Sequence, residues 1–479
     1  MGASRRVAGH GIMEHFINVI LPIPLEKLFT YSVSQSEAAF LQPGMRVAVP
    51  FGKSKIYTAL VHETNVLAPT VYEAKEIHQI LDEFPMVNEF QLKHWQWIAD
   101  YYMCTLGEVF RSAVPSAFLL ESETLILKNE EVAVDELALK DDEFLVFEAL
   151  QHQSILKVHE VAAIVDRKNV LPVLNRLLSK NIILLKEEIY EQYKPKLVRN
   201  VRLGVGYQSE EKLEQLLETL TRAPKQSQVI LSLFQLQVTT NKPIKVSDLE
   251  RASGGSKAII KTLIDKGILE EYHIRRDRVI YDGDEENADL KSLNEYQEAA
   301  LLTIRKSFEA KKTCLLKGVT SSGKTEVYVK LIQECVESGK QALYLLPEIA
   351  LTTQLIGRLQ AYFGNKVSIY HSKYNVQERV EVWNNVVSQK PKAQIVIGAR
   401  SALFLPFSNL GLLIVDEEHE GSFKQFDPAP RYHARDAAIV LGQLHKADIL
   451  LGSATPSIES YKNAKTGKYG YAEITRRFG

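Results

Sequence analysis

Apolar and polar positions alternate with a period of two over four short runs near the start of the chain: Phe16–Leu21, Leu28–Val33, Met45–Val49 behind Pro43-Gly44, and Ile56–Val61. Such alternation, punctuated by proline and glycine, predicts short strands and hence a small β-rich domain. The period lengthens over 88–112, where Trp95, Trp97, Tyr101, Tyr102 and Phe110 fall at helical spacing. This segment is expected to close the first unit with its aromatics in the core. Between Asp141 and Asp282 a weak repeat pairs Leu177-Leu178-Ser179-Lys180-Asn181-Ile182-Ile183 with Leu263-Ile264-Asp265-Lys266-Gly267-Ile268-Leu269. Each copy reads as a helix that ends on a cap residue and enters a strand. Two amphipathic helices precede each copy, Glu143–Gln151 and Val158–Val165 in one, Gln228–Gln237 and Val246–Ala252 in the other. That is the order of a winged helix, and it predicts two tandem modules, or one plus a degenerate partner, joined by a helical connector over Tyr193–Thr221. The third helices carry only Arg176 and Lys180, or Lys257, Lys261 and Lys266, so docking against neighbouring domains competes evenly with DNA contact.

Beyond the acidic stretch Asp282–Asp289 the pattern changes again. Continuous apolar runs of strand length, Thr313–Leu316, Gln341–Leu346, Lys366–Tyr370, Gln394–Ile397, Leu412–Val415 and Asp448–Leu451, alternate with helical segments. This is the signature of a parallel sheet covered on both faces. The chain therefore divides into an extension over 1–12, a β-rich domain over 13–116, a winged-helix region over 117–282 and a parallel α/β lobe over 283–479.

Composition adds limits. At 45% hydrophobic and 24% charged residues the chain reads as globular throughout. With 58 Lys+Arg against 59 Asp+Glu, a nucleic-acid site must come from local clustering of basic groups. Cys104, Cys314 and Cys335 form no CxxC, so neither a zinc cluster nor a disulfide framework is expected. No apolar run approaches the roughly 20 residues that span a bilayer, and a cytoplasmic protein without membrane contact is expected.

The strongest chemical pattern is Gly318-Val319-Thr320-Ser321-Ser322-Gly323-Lys324-Thr325, a GxxxxGK[ST] phosphate loop between a strand and a helix. In it Gly318, Thr320, Ser321, Ser322 and Gly323 offer backbone amides to phosphate oxygens, Lys324 supplies a charge, and the Thr325 hydroxyl is a magnesium ligand. ATP and magnesium are the implied cofactors. The apolar strand Leu412–Val415 then delivers Asp416-Glu417-Glu418-His419 to a sheet edge where ligands bind in open α/β folds. Asp416 is assigned to the magnesium and Glu417 to the attacking water.

This tetrad is a variant of the DEAD/DEAH box, and with it the lobe resembles the RecA-like first lobe of superfamily 2 helicases. The resemblance places Gln297, in Leu293-Asn294-Glu295-Tyr296-Gln297, as an adenine reader. It makes Leu345–Thr352 a DNA-backbone motif, and Tyr370-His371-Ser372 and Gly398-Ala399-Arg400-Ser401-Ala402 further strand-end elements, with Arg400 toward DNA. Gly452-Ser453-Ala454-Thr455-Pro456 would couple hydrolysis to strand movement through Ser453, Thr455 and His419. Past the acidic box, residues 421–436 interleave Phe423, Lys424, Phe426, Arg431, Tyr432, His433 and Arg435, a mixture suited to stacking bases and meeting phosphates of single-stranded DNA.

That loop is similar to the aromatic-rich loop of the PriA family of replication-restart helicases. The first domain resembles the same family over Leu21–Leu25, Leu28–Tyr31 and Pro43–Lys53. There the resemblance implies a pocket for a 3′ terminal nucleotide built from Phe29, Thr30, Gly44 and Lys75. Thr30 departs from the aspartate common at this position, which removes a charge-assisted acceptor for the 3′ hydroxyl. The family continues into a zinc module, a second motor lobe carrying an essential arginine, and a further domain. The chain is therefore read as the N-terminal portion of an ATP-dependent 3′-to-5′ helicase acting at stalled or repaired forks, incomplete for hydrolysis alone, with zinc only downstream. Single-strand-binding protein and primosome proteins are the implied partners. Two rivals are a different superfamily 2 DNA translocase, which would not explain the first domain and the loop together, and a DNA-binding module without ATPase activity.

Overall fold

The computed structural model describes residues 14–475 except 54, 121–123, 168, 186–196, 241–242, 276–291, 320–322, 372–373 and 375. The extension over 1–12 and the acidic stretch Asp282–Asp289 lie outside the described residues. The chain forms two compact units, Lys194–Asp282 and the remainder.

The first domain is a five-stranded antiparallel sheet in the order Phe29–Val33, His15–Ile20, Lys55–Thr64, Arg46–Phe51, Gln79–Ile80. Its alternation is real. Ile17, Val19, Val47, Val49, Ala59 and Val61 turn inward to one core. The helical stretch after it is two helices, Glu89–Tyr101 and Leu106–Ala113, each opened by a capping box, at Asn88 with Gln91 and at Thr105 with Glu108. Between them Met103 takes a positive φ of 52° and breaks the first helix.

A winged helix follows, with sheet order Ile155–Lys157, Leu125–Lys128, Ile183–Leu185 and helices Asp141–His152, Val158–Val165 and Leu171–Ser179. The second unit is another, with sheet order Ile244–Lys245, Leu197–Leu203, Leu269–Arg275 and helices Pro224–Thr240, Val246–Ser253 and Lys257–Asp265. The two copies of the repeat close alike. Asn181 and Gly267 take φ of 56° and 72°. The amides of Ile182 and Ile268 donate to the carbonyls of Leu177 and Leu263, each at 3.0 Å. One expectation is corrected: part of the supposed helical connector, Leu197–Leu203, is the central strand of the second module. Val201 and Leu203 point into its core, while Arg199 and Arg202 reach across to Glu271 and Glu270 at 2.6 and 2.8 Å.

The lobe is a seven-stranded parallel sheet in the order Val367–Tyr370, Ile395–Gly398, Gln341–Leu345, Leu410–Asp416, Asp448–Ser453, Cys314–Gly318, Gly470–Ile474. Its last strand, Gly-Tyr-Ala-Glu-Ile, is too short and mixed to stand out in the sequence. It is fixed by pairing with Cys314–Gly318.

The first domain and the lobe are not separate bodies. Trp95, Ile98 and Phe110 share one hydrophobic cluster with Phe404, Ala437 and Leu441. Asn88 Nδ2 and Gln91 Nε2 donate to the carbonyls of Phe407 and Phe404, both at 2.8 Å. Trp383 Nε1 donates to the Met86 carbonyl at 3.1 Å. His94, fully buried and pushed by that burial to a pKa of about 4, donates its Nε2 proton to the Ala437 carbonyl.

Candidate nucleotide and DNA site

The strand Cys314–Gly318 leads into the helix Lys324–Glu337, capped by Gly323 with φ of 83°, a conformation that favours glycine. Lys324 Nζ donates to the Gly318 carbonyl at 2.8 Å, and Thr325 follows in the helix's first turn. Thr320, Ser321 and Ser322 lie outside the described residues, as does Ser372. Gln297 departs from its expected place. It is 0% exposed, its Oε1 accepts from the Asn294 amide at 2.9 Å, and its Nε2 donates to the Gly323 carbonyl at 3.1 Å. In this arrangement it caps a helix and braces the phosphate loop, so it presents no open edge to an adenine.

Across the neighbouring strand Asp448–Ser453, Asp416 ends the strand Leu410–Asp416. Tyr328 Oη donates to its Oδ1 at 2.8 Å and Tyr344 Oη to its Oδ2 at 3.3 Å. Burial raises the Asp416 carboxyl to about 6, the Tyr328 bond and the Lys324 charge pull it back, and Glu417 pushes it up. Neither tyrosine was singled out in the sequence. Gly452 leaves room for the first of them, since a Cβ there would lie 1.8 Å from Tyr328 Oη. Glu417 takes a positive φ of 52° and is half-buried. Of the residues expected to couple hydrolysis to movement, His419 Nδ1 lies 2.7 Å from Ser453 Oγ, and the Thr455 amide donates to the same oxygen at 2.9 Å.

Glu418, the third residue of the box, is a hub that sequence reasoning missed. It is fully buried and accepts from the Ser457 amide at 2.7 Å, Ser457 Oγ at 3.0 Å, Ser460 Oγ at 2.9 Å and Arg435 Nη1 at 3.1 Å. Arg435 is thus corrected from a DNA contact to a buried partner of Glu418 and Asp436.

The loop after the box is corrected in the same sense. Phe423 and Tyr432 are each 1% exposed, and Tyr432 packs edge-on against Phe404 with centroids 5.1 Å apart. Neither offers a face to a base in this conformation, because both rings fill the core beneath the loop. Arg400 holds the loop's backbone, donating from Nη1 to the carbonyls of Ser422 and Lys424 at 3.2 and 3.0 Å. The ring the loop presents to solvent is Phe426, 73% exposed, between half-buried Lys424 and exposed Arg431.

In the first domain Phe29 packs edge-on to Phe51 with centroids 5.3 Å apart and lies 6.4 Å from the Tyr72 ring. The Thr30 amide donates to Tyr72 Oη at 2.8 Å, and its hydroxyl donates to Asn18 Oδ1 at 2.7 Å, leaving the Thr30 oxygen able to accept. Lys75 Nζ donates to the carbonyl of Gly52 at 2.7 Å. Gly44 does not join them. It is buried, its amide donates to the Val61 carbonyl at 2.8 Å, and a Cβ there would meet the Val87 carbonyl oxygen at 1.8 Å. The glycine at this site is Gly52, exposed, with φ of 64° and open space around it.

The third helix of the first winged helix spends its charge internally. Arg176 meets Glu143 and Asp142 at 2.7 Å each, and Lys180 meets Glu143 at 2.6 Å. In the second, Lys257, Lys261 and Lys266 are exposed.

A parallel sheet with a phosphate-loop sequence after one strand, an acidic box and a Ser-Ala-Thr turn bonded to that box defines a helicase motor lobe, here preceded by winged helices. Family models agree: the DEAD/DEAH box helicase model matches residues 294–464, and the model described as 3′DNA-binding domain (3′BD) matches 18–115. A winged helix domain matches 123–188, and the winged helix domain of PriA helicase in Bacteroidota matches 198–275. Replication restart protein PriA of Bacillus subtilis (strain 168) is 31% identical over 474 residues, covering 97% of this chain and 56% of the relative. That of Haemophilus influenzae is 32% identical over 472 residues, covering 97% and 52%. Among solved structures, RecG bound to a three-way DNA junction overlaps 56% of this chain and 31% of its own at 20% identity and a TM-score of 0.30, which adds nothing to the assignment. The chain belongs to the PriA replication-restart family and spans about half the length of the curated relatives it matches. Among the described residues no helix is long and apolar enough to cross a membrane.

Proposed function

We propose that these residues form the nucleotide-binding lobe and DNA-reading modules of an ATP-driven 3′-to-5′ DNA helicase that recognises stalled or repaired replication forks and promotes primosome assembly. The observation that carries this reading is the core that the lobe bearing Lys324 and Asp416 shares with the helices Glu89–Tyr101 and Leu106–Ala113 of the domain that holds Phe29. A terminus reader fixed rigidly to a motor would set where on a fork the motor starts. On this reading the partners are DNA, single-strand-binding protein and primosome proteins.

The donor set suits ATP with magnesium. A hard cation held by few protein oxygens and by phosphates needs one or two carboxylates and a hydroxyl, here Asp416 and Thr325. When bound, magnesium ATP supplies the phosphoanhydride whose hydrolysis drives movement. Lys324 would meet its phosphates, releasing the Gly318 carbonyl it now holds. Tyr328 and Tyr344 fix the Asp416 carboxylate, and Glu417 would orient the attacking water. His419 and Ser453 would pass the change to the turn ahead of Ser457. The reading is tested by unwinding partial duplexes that carry a 3′ or a 5′ tail, with a protein extended to the relatives' full length. Unwinding from the 3′ tail is expected, and equal rates from both tails contradict it.

The terminus pocket makes its own prediction. Phe29→Ala should remove most of the preference for a 3′ end, because its ring is the stacking surface. Thr30→Val removes one neutral hydrogen bond, net about 0.5–1.5 kcal/mol, and should change little. Thr30→Asp should sharpen the preference for a 3′ hydroxyl over a 3′ phosphate, since a carboxylate accepts from the one and repels the other. Binding of oligonucleotides differing only at the 3′ end, at one salt concentration, measures this. Equal affinities for both ends in wild type and Thr30→Asp would mean that the pocket reads no terminus.

A further inference from the structure

The helix Glu89–Tyr101 was expected to bury its aromatics, and Trp95 is buried, but its C-terminal end does otherwise. Trp97 and Tyr101, four residues apart, stack with centroids 4.8 Å apart and planes at 17°. Tyr102 meets both edge-on, at 5.9 and 4.9 Å. Trp97 and Tyr102 rest partly on the core, whereas Tyr101 is 64% exposed and leaves its outer face to solvent. Lys93, one helical turn before Trp97, continues the same face and is exposed. This cluster touches the basic and aromatic loop directly. The Lys424 ammonium lies 5.1 Å from the Tyr102 ring centroid, and the His433 amide donates to Tyr102 Oη at 3.1 Å.

We propose that Tyr101, backed by Trp97 and Tyr102, is a base-stacking platform for single-stranded DNA, and that it continues the track begun by Lys424 and Phe426 onto the first domain. A planar ring with a free face, supported from behind so that little freedom is lost on binding, suits a nucleobase of any sequence. Lys93, exposed on the same helix, and Lys424, over the Tyr102 ring with its Nζ also donating to the Arg431 carbonyl, supply positive charge for phosphates. That cationic frame, and its contact with the loop, favour a nucleic-acid strand over an apolar protein segment. The proposal supplies the exposed stacking surface that buried Phe423 and Tyr432 do not. It rests on the reading of the loop as a single-stranded DNA contact.

The experiment is fluorescence anisotropy of labelled oligodeoxythymidine titrated with the 479-residue chain and its variants at one fixed salt concentration. Tyr101→Ala should weaken binding about tenfold, the scale of one lost base stack, and lower the melting temperature only slightly, because the side chain is mostly exposed and loses only its ring contacts with Trp97 and Tyr102. Tyr101→Phe, which keeps the ring, should bind within about twofold of wild type on the same scale. The double variant Lys424→Gln with Phe426→Ala tests the loop by itself. If it weakens binding while Tyr101→Ala does not, the loop reading stands and the platform is overturned. That is also the outcome for a face that docks a protein. If neither variant weakens binding, both readings fall, and if Tyr101→Phe is as weak as Tyr101→Ala, stacking is not the interaction.

Discussion

Glu418→Ala destabilises the motor unit by about 3 kcal/mol, read as a lower urea midpoint. Removing one partner of a buried ion pair costs roughly 3–5 kcal/mol, because the remaining charge stays desolvated without its counterion. The lower end applies because Arg435 keeps Asp436 at 3.0 Å and Ser457 Oγ at 3.0 Å. Ser460 Oγ, also buried, loses its acceptor as well. The functional effect reaches further than the stability. Glu418 joins the acidic box, the end of the basic loop at Arg435 and the helix Ile458–Lys465 that follows the Ser-Ala-Thr turn, so its loss frees three elements to move independently. Glu418→Gln keeps the carbonyl acceptor and should cost less. Equal midpoints for wild type and Glu418→Ala would show that the hub holds nothing together.

Tyr432→Ala is expected to cost about 3–5 kcal/mol, the range for removing a large aromatic ring from a packed core. The ring is 1% exposed, lies edge-on to Phe404, and sits beside the Arg400 guanidinium that anchors the loop backbone. The loss should therefore appear first as a lower melting temperature, and as weaker DNA binding only through a loosened loop. A variant that melts like wild type yet binds oligonucleotides poorly would show instead that Tyr432 leaves the core to stack on DNA.

Local patterns were legible where function is local. The phosphate-loop motif and the Asp416-Glu417 edge follow from runs of a few residues in strand-to-loop settings, and the structure sets both at strand ends of one parallel sheet, whereas the contact of His419 with Ser453 joins residues 34 apart and has no such local signal. Burial in the loop was not legible, because Phe423 and Tyr432 alternate with basic groups as a stacking loop would, and only their place with Phe404 in one core cluster shows that they face inward. Gly44 and Gly52 lie in the same glycine-punctuated segment, and the contact of Lys75 with Gly52 is what separates them. Gln297 could have been read otherwise, since Asn294 followed three residues later by glutamine is a helix-capping pattern. The union of the first domain with the lobe leaves no trace in periodicity. It is made by Gln91, His94 and Trp383 meeting partners about 300 residues away.

On the proposed function, DNA held by this molecule drives ATP turnover at the Lys324 and Asp416 site. The direct measurement is steady-state ATP hydrolysis with and without single-stranded DNA, in a protein extended to the relatives' full length, for wild type and Lys324→Ala. A large stimulation by DNA in wild type, abolished in Lys324→Ala while fork binding is kept, is the predicted result. Turnover indifferent to DNA, or retained without Lys324, would contradict it.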